Sequence, residues 1–152
     1  MKRSSFLTAA VASLSLTALT PAIAAAAPTP ASATETVVSC GNSGLQSSLS
    51  TRLCAEVSGN TVTFVGKVGL AGPPSPGSPA PTPKELTTTF TATVDGAPLP
   101  KVTKYALFNN TNLDVPGLSA NVACGSTIRA TFGVASYPWT ARPVSHELTL
   151  TC

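Results

Sequence analysis

Period-two alternation is the feature that most narrows what this chain can become. From Leu86 to Val94 the sequence LTTTFTATV puts Leu86, Phe90, Ala92 and Val94 on one side and Thr87, Thr89, Thr91 and Thr93 on the other. An extended strand turns successive side chains to opposite faces, whereas a helix returns to one face every three to four residues or so. The alternation recurs over 61–68, where Val62, Phe64 and Val68 share a face, and over 127–134, where Ile128, Ala130, Phe132 and Val134 oppose Thr127, Arg129 and Thr131. Over 145–152, Leu148, Leu150 and Cys152 oppose Glu147, Thr149 and Thr151. Segments 36–40, 52–57, 102–108 and 118–124 read as weaker strands, and no window sustains a helical period. About eight strands, each with one apolar face, predict two sheets packed on those faces, an all-β sandwich.

The odd-numbered threonines of 87–93 are expected to form the solvent face of their strand. A functional lattice of hydroxyls would need neighbouring strands carrying the same Thr-x-Thr register at about 4.8 Å spacing, and the chain has no internal repeat that supplies one.

The N-terminus reads as an export signal. Lys2 and Arg3 precede an uncharged apolar run of 14 residues from Phe6 to Leu19, Pro21 breaks it, and Ala22-Ile23-Ala24 offers a small-x-small cleavage site. The run is shorter than the roughly 20 residues of a spanning helix. Residues 1–26 are therefore assigned as a cleaved signal peptide, 27–35 as a flexible mature N-terminus, and 36–152 as one domain of ordinary size. Lys2 and Arg3 would leave with the signal, so 9 basic groups become 7 against 6 acidic ones. A mature chain so near neutrality, with no basic run interleaved with aromatics, does not suit nucleic acid. The expected location is secreted and extracellular, free or associated with the cell wall, without a membrane span.

Export brings oxidising conditions, in which cysteines pair. Cys40, Cys54, Cys124 and Cys152 allow three connectivities. Pairing of near neighbours, Cys40–Cys54 and Cys124–Cys152, is expected because it closes short loops.

Gly72 to Pro83, GPPSPGSPAPTP, holds six prolines in twelve residues. Proline lacks the amide donor of a sheet ladder and favours polyproline II, so this segment is expected as a long exposed loop. Directly after it, Thr89-Phe90-Thr91-Ala92-Thr93-Val94-Asp95-Gly96-Ala97-Pro98-Leu99-Pro100-Lys101-Val102 resembles the middle of bacterial immunoglobulin-like domains, where such a run joins two strands through a turn. The resemblance implies an immunoglobulin-like β-sandwich serving adhesion or display, with no catalytic residues. The paired cysteines are also similar to those of secreted bacterial hydrolase inhibitors of the tendamistat type. That family carries a Trp-Arg-Tyr triplet between its first two cysteines; here the interval GNSGLQSSLSTRL has no aromatic residue.

Reactive groups are few. His146 is the one histidine, and the six carboxylates are scattered. A nucleophilic Ser43 activated by His146 would need spatial closeness that spacing does not supply, and a hydrolase would require that serine or another hydroxyl within reach of the imidazole. No catalytic residue, metal set or cofactor is assigned.

The segment Tyr137-Pro138-Trp139-Thr140-Ala141-Arg142-Pro143 concentrates the single Trp, one of two Tyr and an Arg. These types carry interface hot spots, and two prolines would limit the entropy lost on binding. Trp139 could instead fold over the sandwich end with Arg142 stacked on it. The reading is a secreted, non-enzymatic binding or structural protein that contacts an extracellular protein or cell-surface component through Tyr137, Trp139 and Arg142. The alternative is an inhibitor of an extracellular protease or glycosidase.

Overall fold

The computed structural model describes residues 35–77, 79 and 81–151. The expected signal peptide, all of the N-terminal segment but Glu35, and Cys152 lie outside the described residues.

The described residues form ten strands: β1 (Thr36–Cys40), β2 (Gly44–Gln46), β3 (Leu49–Ser58), β4 (Thr61–Leu70), β5 (Lys84–Val94), β6 (Ala97–Pro98), β7 (Val102–Phe108), β8 (Asn112–Asn121), β9 (Thr127–Ala135) and β10 (Val144–Thr149). One sheet runs β1-β3-β4-β8, with β2 beside the other half of β3; the second runs β10-β9-β5, with β6 and β7 together along the far edge of β5. Every pairing is antiparallel. Among the described residues no helix is long and apolar enough to cross a membrane.

Tight turns set the registers. Gly59-Asn60 joins β3 to β4, with Gly59 at φ 57°. Asp95-Gly96 joins β5 to β6 with both residues at positive φ, the geometry whose twist matches the flanking strands. Ser47-Ser48 does the same between β2 and β3 without a glycine, at φ 51° and 63°.

Most inward positions read from alternation form the core, while Val94 and Leu148 are only partly buried against it. Val62, Phe64, Val68, Leu86, Phe90, Ala92, Ile128, Ala130, Phe132 and Val134 are all buried, joined by Leu53, Ala55 and Phe108. Two glycines shape the contact between the layers. A Cβ on Gly66 of β4 would lie 2.3 Å from the Phe132 ring, and one on Gly117 of β8 would lie 2.5 Å from Phe90. Phe90 and Phe132 are cross-strand partners with ring centroids 4.7 Å apart. One sheet thus supplies two notches, and the other supplies the rings that fill them.

Cys40 and Cys54 are directly opposed on β1 and β3 and form a disulfide. Cys124 is partnered as well, and its expected partner Cys152 is outside the described residues. Gly72–Pro83 carries no strand where described and bridges the two sheets between β4 and β5.

Several boundaries differ from the alternation reading, β8 most of all. β8 begins at Asn112, six residues before the expected 118, because NLDVPG reads as loop: Asn, Asp, Pro and Gly are poor strand formers. The structure tolerates them because β8 is an edge strand, where proline loses no ladder bond. A bulge opposite the stretch from Thr63 to Val65 turns both Gly117 and Leu118 toward the core. The short edge pieces β2 and β6 carried no readable alternation.

Candidate functional site

Three places lie where side chains from different strands converge. The first is built on Gln46, a buried amide at the sheet edge. Its Nε2 donates to Thr51 Oγ1 at 2.8 Å and to the Phe132 carbonyl at 3.1 Å, while its Oε1 accepts from the Val134 amide at 2.9 Å and the Arg142 amide at 3.2 Å. All four bonds an amide side chain can make with two donor hydrogens and one carbonyl are made. Ser47 adds a bond from its hydroxyl to the Val134 carbonyl, and Lys84 donates to the Ser47 carbonyl. The β2–β3 hairpin is thereby fastened to β9 of the opposite sheet and to the β9–β10 loop.

That loop holds Tyr137, Trp139 and Arg142. Ser136 and Trp139 exchange two backbone hydrogen bonds, which closes a tight turn. The return segment is fixed by Gln46 at Arg142 and by close packing of Ala141 and Pro143 over Gly133. The aromatic rings are not held down. Tyr137 is 98% exposed and Trp139 is 60% exposed. Trp139 keeps more than half of its surface in solvent, and it makes no stacking pair with Arg142 among the described residues.

The turn separates two grooves. Trp139 and Arg142 line one together with Leu45, itself 66% exposed, and with Gln46 and the two turn serines. Tyr137 lines the other with Tyr105, Leu107, Glu85 and Thr87. The three residues singled out from sequence are thus close along the chain but serve two sides of one turn. Leu45, Gln46 and Tyr105 escaped the sequence reading. GLQSS reads as loop, and Tyr105 lies in a segment with apolar residues on both faces.

Compared with known proteins, the chain matches no family model, no curated protein and no solved structure.

The second place is the lateral seam between β1 and β10. Ser39 Oγ lies 3.0 Å from His146 Nε2, so the hydroxyl that the imidazole reaches is Ser39 and not Ser43. Gly41 follows closely, since a Cβ there would meet the Ser145 carbonyl at 2.5 Å. Burial holds the His146 pKa below the usual imidazole value. No carboxylate orients the ring among the described residues. Ser43 is exposed and lines a separate groove with Arg52, Lys67 and Asp114.

The third place is the outer face of the β5 sheet. Thr91 and Thr131 hydroxyls are 2.7 Å apart across adjacent strands, and those of Thr127 and Thr149 are 3.2 Å apart. An exposed Arg129–Glu147 ion pair interrupts the row. The hydroxyls satisfy one another as cross-strand pairs. Asp95 accepts the Thr127 amide, and that bond, with a second from Ser126, lowers its pKa.

Proposed function

We propose that this chain is a secreted, non-enzymatic binding module with an immunoglobulin-like sandwich, which contacts an extracellular protein or cell-surface component through the turn carrying Tyr137, Trp139 and Arg142. The observation that carries the reading is the contrast at that turn: its backbone is tied to a fully bonded buried Gln46, while its two aromatic rings stand in solvent. A preformed loop with exposed aromatic side chains loses little entropy on binding and offers the residue types that dominate interfaces. The immunoglobulin-like reading draws support from strand order, with β3-β4-β8 in one layer facing β7-β5-β9-β10 in the other, and from the Asp95-Gly96 turn at the place the resemblance implies. Export draws support from the disulfide. Pairing of Cys124 with Cys152 belongs to the same proposal.

The test is a Trp139→Ala, Arg142→Ala double variant. Alanine at 142 keeps the backbone amide that Gln46 binds, so the fold is expected to stay intact. A partner retained by the wild-type protein from culture fluid or from cells should be lost by the variant. Undiminished retention by a folded double variant would refute the proposal. A stiff projecting turn also suits the second reading, an inhibitor offering that turn to a hydrolase; titration against extracellular proteases and glycosidases tests it.

A further inference from the structure

Beside the turn, the groove on the outer face of the β5 sheet has a chemistry of its own. Thr87 is the cross-strand partner of Tyr105 on one side and of Ala135 on the other, and Glu85 is the partner of Leu107. Tyr137 lies two residues beyond the last β5–β9 pair, and it lines the same groove as Glu85, of about 950 Å³. One carboxylate is therefore flanked by two tyrosines and a leucine.

None of these flanking side chains makes a hydrogen bond or ion pair among the described residues. Tyr105 is 85% exposed, Tyr137 98% and Leu107 51%. Glu85 is exposed and enters neither of the ion pairs found among the described residues, Lys67–Asp114 and Arg129–Glu147. The adjacent cation does not neutralise it, because the Lys84 ammonium is committed to the Ser47 carbonyl. Exposed aromatic and aliphatic groups around an uncompensated carboxylate are complementary to a group that is apolar along its stem and positive at its tip. The stem packs on Leu107 and a tyrosine, and the charge meets both the carboxylate and the electron-rich ring faces.

We propose that this groove receives a lysine or arginine side chain of the partner polypeptide. The assignment rests on the reading of the neighbouring turn as the contact surface, and it names the chemistry that one side of the contact demands. A basic residue anchored at Glu85 sits next to the partner segment that meets Trp139 and Leu45 across the turn, so the two grooves read one ligand at two points.

The probes are N-acetyl-lysine N-methylamide and its arginine counterpart, with the norleucine derivative as the uncharged control, titrated into the full mature protein and followed by amide NMR shifts. Saturable shifts are expected at Glu85, Thr87, Tyr105 and Tyr137 with the basic probes and not with norleucine. Glu85→Gln, an exposed and conservative change, should weaken binding about fivefold, and added sodium chloride should weaken it further in the wild type. Absent shifts, shifts confined to other carboxylates, equal binding of norleucine, or an unaltered Glu85→Gln variant would each overturn the assignment. Failure of the two readings is separable. If the basic probes do not bind yet partner capture depends on Trp139 and Arg142, the groove assignment alone falls. If they bind at Glu85 while capture ignores the Trp139→Ala, Arg142→Ala variant, the turn reading alone falls.

Discussion

The side-chain carbonyl of Gln46 accepts the backbone amide of Arg142 across 96 residues of chain, at 3.2 Å, while also holding the Val134 amide at 2.9 Å. One buried amide therefore joins a hairpin of the first sheet to a strand of the second and to the exposed turn beyond it. Gln46→Leu keeps most of the volume but strands the Val134 amide, the Phe132 carbonyl and the Arg142 amide. A buried polar group left without its bond costs about 1–3 kcal/mol. The variant should lose about 3 kcal/mol in urea unfolding, and the Arg142 amide should exchange with solvent faster than in the wild type.

The Gly66–Phe132 contact predicts overpacking. A methyl group at position 66 would have to displace the ring that pairs with Phe90. Gly66→Ala should destabilise by about 1–3 kcal/mol, despite the better strand propensity of alanine. The Gly66→Ala, Phe132→Leu combination, measured by the same unfolding curves, should recover part of that loss because the smaller side chain vacates the notch.

Much of this core could be read from the chain, since alternation named most of the buried positions of β4, β5 and β9. Devices that depend on two distant segments could not be. Gln46 looks like one polar residue among serines, and only the arrival of Val134 and Arg142 explains its burial. Gly66 looks like a weak point in a strand until Phe132 faces it. Thr88 interrupts an apolar face in the sequence, yet it is fully buried, with its hydroxyl donating to the Lys104 carbonyl. The turn residues were legible by type, because Trp, Tyr and Arg cluster there, but their division between two grooves depends on Leu45 and Tyr105, which come from remote strands.

His146 gives a pH dependence whose sign follows from burial. Its folded pKa lies below the ordinary imidazole value, so the unfolded chain takes up a proton first as pH falls. Stability should be fully present above about pH 6.5 and decline as the pH falls from there through the folded value. His146→Gln keeps a hydrogen-bonding group near Ser39 and removes the titration. The decline across that window should flatten in this variant, measured by thermal unfolding at a series of pH values.

The Cys40–Cys54 bridge ties an exposed edge strand to a buried one. Its sequence separation of 14 implies about 3 kcal/mol of loop-closure stabilisation. A Cys40→Ala, Cys54→Ala variant should unfold at correspondingly lower denaturant. The remaining register of β3 with β4 should persist in its amide exchange pattern, because ten residue pairs hold that ladder independently of the disulfide.

A rigidly tied turn that offers its aromatic rings to a partner should have them open in the free protein and covered in the complex. Hydroxyl-radical footprinting of the protein with and without its captured partner tests it most directly. Trp139 and Tyr137 should be readily modified in the protein alone and become protected in the complex. Unchanged modification of both rings, with protection falling instead on the exposed Val37 and Val38 of β1, would contradict it.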